Sequence, residues 1–143
     1  MSEPSGHQAS ARCYCGASAL QIEAAARSVV NCHCGQCRQL GGSAFTTWVS
    51  YLKSAVQASP ATSMVAFQAT TNVTRHFCGV CGSHLYTEDV RYPKIVGVPA
   101  GVVQGPVPLP TAHYFVDHKA AWHTINDGLP QFGGPSGFEA TVA

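Results

Sequence analysis

Seven cysteines stand in three clusters whose spacing suits a metal: Cys13-Tyr14-Cys15, Cys32-His33-Cys34-Gly35-Gln36-Cys37 and Cys78-Gly79-Val80-Cys81. An odd number cannot pair wholly as disulfides. Four plus three is a more telling division, because a closed structural zinc site takes four ligands and a catalytic one takes three. Two thiolates three residues apart, as in Cys34/Cys37 and Cys78/Cys81, reach one tetrahedral ion with Zn–S near ~2.3 Å. A Cys-x-Cys pair on extended chain, as in Cys13/Cys15 and Cys32/Cys34, puts both sulfurs on one face. Gly82 tolerates a positive φ and so helps close the Cys78–Cys81 turn. Buried free thiols are the plainer alternative, yet burial alone would not confine every thiol to these spacings. Spacing by itself does not fix which cysteines share an ion. Cys32, Cys34 and Cys37 can form a three-ligand group locally, which leaves Cys13, Cys15, Cys78 and Cys81 to close a second one over a longer stretch of chain.

Short strands must carry these residues. Leu20 and Ile22 alternate with Gln21 and Glu23, the pattern of a half-buried strand over 18–25. Ser28 to Asn31 reads as a strand delivering Cys32. Ala44 to Ser50 is rich in β-formers. Met64 to Ala69 and Val73 to Phe77 read as a hairpin around Thr70-Thr71-Asn72, followed by strands at His84 to Val90, Ile95 to Val98 and Ala112 to Val116. Four prolines in 99–111 (Pro99, Pro106, Pro108, Pro110) mark a surface loop, and Asp117 to Trp122 has room for one helical turn. No amphipathic helix of normal length is expected. The class is mainly β, built around metal.

Composition narrows the function. The chain has 143 residues, of which 45% are hydrophobic and 10% charged, against ~25% charged in an average domain. That is enough for one core, and a small, thiol-rich, weakly charged domain of this kind calls for a staple. A flexible arm is expected over 1–10, a zinc-binding domain over 11–133 and an irregular tail over 134–143. Formal charge is +1 with scattered cations, unlike the basic face of a nucleic-acid binder. The polar start Met1-Ser2-Glu3-Pro4-Ser5-Gly6 has no apolar core of a signal peptide, and no apolar run approaches the ~20 residues of a membrane span. A cytoplasmic location follows as the expectation, where cysteine clusters favour metal over disulfide.

The matching stretches Cys13-x-Cys15-Gly16, Cys32-His33-Cys34-x-x-Cys37-Arg38, Gly42-Ser43-Ala44-Phe45 and Arg75-x-Phe77-Cys78-x-x-Cys81-Gly82-Ser83 come in an order that resembles the glutathione-dependent formaldehyde-activating enzyme (GFA) family, which includes centromere-protein-V-like zinc proteins. Pro99-Ala100-Gly101, His113-Tyr114-Phe115-Val116, Lys119-Ala120-Ala121-Trp122 and Asp127-Gly128-Leu129-Pro130-x-Phe132 extend the similarity over about residues 12–133. The resemblance implies a β-tent-like domain of small antiparallel sheets clamped by zinc. It implies two zinc ions per chain, a structural one on Cys13, Cys15, Cys78 and Cys81 and a catalytic one on Cys32, Cys34 and Cys37. It implies a carbon–sulfur lyase of the S-(hydroxymethyl)glutathione synthase type, joining glutathione or another small thiol to formaldehyde or a related aldehyde. The centromere-type members carry basic extensions, and the expectation here is of a chain without one.

Three thiolates on a divalent zinc leave a net negative centre, which suits soft thiol chemistry better than water activation. Charge compensation points to Arg38, directly after a ligand, and next to Arg75. His33, between two ligands, is a candidate proton shuttle or points to the opposite face. His113 and His123 read as core or surface histidines; Trp48, Phe45 and Trp122 read as core. Two other readings stay open: a related zinc enzyme that hydrolyses, isomerises or epimerises another small metabolite, and a non-catalytic zinc-stabilised binding or thiol-carrier module in which His33 or His84 completes the second site. The expected partners are small molecules, a thiol and an aldehyde, with neither nucleic acid nor membrane, and a homodimer is allowed for.

Overall fold

The computed structural model describes residues 8–59 and 63–141. In chain order the strands are β1 (Gln8–Arg12), β2 (Ala19–Glu23), β3 (Ser28–Cys32), β4 (Thr46–Leu52), β5 (Val56–Ala58), β6 (Met64–Gln68) and β7 (Val73–Cys78). Then follow β8 (His84–Asp89), β9 (Ile95–Pro99), β10 (Val103–Gln104), β11 (His113–Tyr114), β12 (Phe132–Gly133) and β13 (Glu139–Ala140). A helix α1 (Gly35–Gly41) and 3-10 turns at Lys53–Ala55, Ala100–Val102 and Val116–His118 complete the set. The architecture is mainly β, in several small sheets, as expected.

The chain folds as two compact units, one formed by the residues up to Arg27 with Val49–Pro108, the other by Ser28–Trp48 with Leu109–Ala143. In the first unit, β10, β1, β2 and β5 lie side by side. All are antiparallel, with Ala11 opposite Leu20 and Ile22 opposite Val56. Leu20 and Ile22 are buried while Gln21 and Glu23 face water, so the alternation read from sequence is the alternation observed. Strands β6 to β9 form an antiparallel meander, whose buried residues include Leu85, Val96 and Val98. A register shift between His76 and Phe77 interrupts the β7–β8 ladder. Bulges of this kind re-aim the strand that carries them, and this one lies just before Cys78.

In the second unit, β3 runs parallel to β11, with Asn31 opposite His113 and Cys32 opposite Tyr114. Its buried side chains include Val29, Asn31, His33, Cys37, Ala112, His113 and Ala120, unusually rich in polar groups. Tyr114 stacks on Phe132, and Phe138 leans on both Tyr114 and Phe115. The β12–β13 pair brings Phe132 and the tail onto this aromatic group.

Three expectations meet a different outcome. The helix α1 (Gly35–Gly41) stands where the sequence pattern shows ligand spacing and no helix. Gln8 to Ser10, counted with the flexible arm, belong to β1; residues 1–7 lie outside the described residues. The tail from 134 holds β13 and is tied back by the Phe115 N–H, which donates to the Gly137 carbonyl at 3.0 Å.

Candidate functional site

The cysteines gather into two groups, Cys13/Cys15/Cys78/Cys81 in the first unit and Cys32/Cys34/Cys37 in the second, with the sulfurs of each group within 4.8 Å of one another. In the first group Cys13 and Cys15 are 3.7 Å apart and Cys15 and Cys78 3.8 Å apart, sulfur to sulfur. Two sulfurs bound to one tetrahedral zinc at ~2.3 Å are ~3.8 Å apart. These two pairs are therefore already at ligand spacing.

Local donors support it. The Ser18 N–H donates to Cys13 Sγ at 3.2 Å and the Val80 N–H to Cys78 Sγ at 3.4 Å. Ser83 Oγ lies 3.2 Å from Cys81 Sγ and accepts from the Tyr14 N–H at 3.0 Å. Gly82 takes φ 82° to close this turn, the conformation that a side chain disfavours. The Ser83 hydroxyl, with the backbone N–H groups of Cys15 and Ser83, draws the Cys81 thiol down to about 5. The Ser18 hydroxyl and the Cys81 N–H draw Cys78 down. The Ala17 N–H also lowers Cys15, but desolvation and the thiols of Cys81, Cys13 and Cys78 outweigh it and push Cys15 up to about 11. Four sulfurs contesting their protons in this way are a donor set that a divalent cation satisfies, so the residues fit a metal.

The three-cysteine group is built by a strand end and a helix start. β3 delivers Cys32. Cys34 is the N-cap of α1, its Sγ accepting the Cys37 N–H at 3.3 Å, which satisfies one of the unpaired donors of the first turn. α1 ends at Gly42, whose N–H donates to the Arg38 carbonyl at 2.8 Å. Cys37 is buried and accepts the indole Nε1–H of Trp48 at 3.4 Å, while Thr46 Oγ1 donates to the Cys37 carbonyl at 3.2 Å. Hydrogen bonding with Cys34 and Cys37, together with burial, pushes the Cys32 thiol up. Cys32 lowers Cys34, but Cys37 and burial prevail and raise it. Crowded sulfurs that cannot all ionise again fit a cation. No histidine, aspartate or glutamate among the described residues joins this group.

His33 is wholly buried, and its Nε2 lies 2.8 Å from His113 Nδ1. His113 Nε2 in turn lies 2.8 Å from Asp127 Oδ2. The ring is thus engaged by His113 and stands outside the sulfur group; burial, then the charges of His113 and His123, lower its pKa to about 4. His84 Nε2 is 2.8 Å from Thr87 Oγ1, in the first unit. Arg38 is half-buried on α1 next to Cys37, and its Nε is shielded from water with no acceptor among the described residues. Arg75 is buried on β7, in the unit that holds the four-cysteine group. Trp122, read from sequence as core, is 74% exposed; its loop after the 3-10 turn leaves the ring outside.

Trp48 and Thr46 touch Cys37, His113 touches the His33 ring between two of the cysteines, and Asp127 touches His113; sequence spacing named none of them for that task. The available signal lay in the motifs His113-Tyr114-Phe115-Val116 and Asp127-Gly128-Leu129-Pro130, which had no chemistry attached.

Comparison with known proteins adds one relative and one structure of similar fold. A Halomonas elongata protein, named provisionally as a glutathione-dependent formaldehyde-activating enzyme, is 28% identical over 122 residues, spanning 79% of this chain and 78% of that protein. A Rhodobacter sphaeroides protein of known crystal structure shares the fold at TM-score 0.58 with 21% identity, covering 69% of this chain and 91% of the other. The sequence profile of the GFA family, described as glutathione-dependent formaldehyde-activating enzyme, matches residues 8–118, a stretch containing all seven cysteines and both sulfur groups. The chain therefore belongs to the glutathione-dependent formaldehyde-activating enzyme family.

Proposed function

We propose that this chain is a zinc enzyme that joins a small thiol to formaldehyde or a related aldehyde. The observation that carries this reading is the unequal pair of sulfur groups: four sulfurs converge in one, three in the other, and no histidine, aspartate, glutamate or further cysteine among the described residues groups with the three. Four thiolates complete a tetrahedral shell and suit a structural role; three leave a position for a substrate. Cys32, Cys34 and Cys37 would hold the ion, which when bound would supply a soft Lewis-acid position favouring the thiolate form of a thiol.

The chain's own residues do the rest. Cys32, Cys34 and Cys37 hold the ion, the Cys37 N–H and the Trp48 indole N–H spread the charge of two of them, and Arg38 compensates the charge that a further sulfur brings. The thiol sulfur adds to the aldehyde carbon. A C–S bond forms, the C=O double bond becomes a C–O single bond, and the proton from the thiol ends on that oxygen as a hydroxyl. Holding both reactants in register accounts for most of the gain, since the uncatalysed step is bimolecular. The His33 ring is occupied by His113, so its part in this reading is to brace the loop between two ligands.

Glutathione is the thiol that the family name supplies. Within the second unit the cations are Arg38 and Lys119, and the Lys119 ammonium donates to the carbonyls of Ala120 and His123. A less anionic thiol therefore remains a second substrate on this reading. We assign the reaction to the cytoplasm. No helix among the described residues is long and apolar enough to cross a membrane.

The test is a titration of cobalt-loaded protein with glutathione, cysteine and 2-mercaptoethanol, followed by the sulfur-to-cobalt charge-transfer band, with adduct formation from formaldehyde read by exchange NMR. Saturable growth of the band and an exchange rate above the spontaneous one are expected. A band indifferent to every thiol, or no acceleration, overturns the proposal.

A further inference from the structure

Two buried histidines of the second unit and an exposed aspartate form one chain of hydrogen bonds that starts at the surface and ends between Cys32 and Cys34. Asp127 is the outer end. Its Oδ1 accepts the Leu129 N–H at 3.1 Å, and its Oδ2 lies 2.8 Å from His113 Nε2. A carboxylate only accepts, so His113 Nε2 carries the hydrogen. In its neutral form His113 has its lone pair at Nδ1, and the 2.8 Å contact then has His33 Nε2 as the donor. One exposed carboxylate thereby sets the tautomer of two buried imidazoles in turn.

The backbone repeats the connection. The His33 N–H donates to the Tyr114 carbonyl at 2.9 Å and the Asn31 N–H to the Ala112 carbonyl at 2.9 Å. The His113 N–H donates to the Pro130 carbonyl at 2.9 Å. The segment from Asp127 to Pro130 is therefore tied to β11, and β11 to the end of β3 where Cys32 stands. Phe45 packs against the His33 ring at 4.8 Å between centroids, which limits its other movements. Two imidazoles that served only as filler would be a costly choice, since buried polar groups lose hydration and need partners. An apolar pair would fill the same space without that cost.

We propose that Asp127 and His113 are positioning residues of the three-cysteine centre: through the His33 ring they fix the loop that carries Cys32 and Cys34 in the shape that grips an ion. The proposal rests on the reading of Cys32, Cys34 and Cys37 as a metal centre. Carboxylates that orient an imidazole at metal sites are worth about 10–100-fold in metal affinity. Here the carboxylate acts one imidazole further out, and the imidazole it orients braces the ligands instead of being one.

The experiment uses the full chain loaded with cadmium-113, whose NMR signal separates a four-sulfur from a three-sulfur environment. Both signals are followed against a competing chelator in wild type, Asp127→Ala and Asp127→Glu. The four-sulfur signal is the internal reference. Asp127→Ala is expected to lose the three-sulfur signal at a chelator concentration about tenfold lower or less, with the four-sulfur signal unmoved, and Asp127→Glu to recover part of the loss. If Asp127→Ala does not fold, Asp127→Asn, which keeps the shape and removes the charge, carries the same expectation. Unchanged chelator resistance overturns the proposal, and so does parallel loss of both signals, which marks a merely structural residue. A wild type with only the four-sulfur signal removes the underlying metal centre, and the proposal falls with it.

Discussion

The indole N–H of Trp48 points at the sulfur of Cys37 from 3.4 Å. That bond singles out one sulfur of three: Cys37 is buried and held by a donor from β4, while Cys32 and Cys34 are only half-buried. A thiolate that receives an N–H is less basic and a steadier ligand. Trp48→Phe keeps most of the ring and deletes the donor. It should cost about 1–2 kcal/mol of stability, the usual worth of a hydrogen bond to a buried group, measured by denaturant titration. It should also shift the sulfur-to-cobalt band to lower energy; an unshifted band would show that the contact does not reach the metal.

The two sulfur groups should fail differently. Cys34→Ser removes one of three ligands and is expected to abolish adduct formation while keeping most of the far-ultraviolet dichroism. Cys81→Ser opens the four-sulfur group, and structural zinc contributes folding energy directly, so loss of cooperative unfolding is expected. Equal collapse of both variants would contradict the division of labour.

Metal removal gives a graded version of the same contrast. A chelator should strip the three-cysteine group first, leaving folded and inactive protein, and unfold the first unit only at higher concentration. Hydrogen exchange at β1 and β7, which flank Cys13 and carry Cys78, reports the second event. Simultaneous release of two equivalents would count against it.

Away from the cysteines, Glu88 accepts from Lys53 at 2.8 Å and lies 2.9 Å from His76 Nε2. Desolvation raises its carboxyl, but hydrogen bonds and charge from Lys53 and His76 prevail and lower it. A carboxyl depressed on folding adds stability that is present above its unfolded pKa and is lost as pH falls through the folded one. Glu88→Gln should therefore cost about 0.5–1 kcal/mol at neutral pH and nothing at a pH where Glu88 is protonated. A Tm difference that persists in acid would point to shape instead of charge.

Much of this was legible in the residues alone. The alternation of Leu20 and Ile22 with Gln21 and Glu23 gave β2, and the polar Thr70-Thr71-Asn72 gave the turn between β6 and β7. α1 escaped notice because a helix of seven residues is too short to show a 3.6-residue period, and its N-cap is a cysteine, which no capping rule favours. The two-residue strands β10, β12 and β13 exist only through their partners, whereas β11 falls within the strand read at Ala112 to Val116. Ligand spacing is local, so the sulfur groups could be read; His113 is 80 positions from His33, and nothing in a single sequence joins them. Trp122 looked like core because tryptophan is usually well buried, a preference that the loop around it overrides.

Phe115 takes φ 58°, the one left-handed residue without a glycine's freedom among those described, and its ring lies so close over Gly137 that a Cβ there would collide with it. Phe138 leans on the same ring. An expression design trimmed after Gly133, the boundary that composition suggests, would strip this lid from Phe115 and bare the face of Tyr114. Residues 134–141 act as a sealing strip beside an aromatic patch, and a shortened product should aggregate more readily than the full chain.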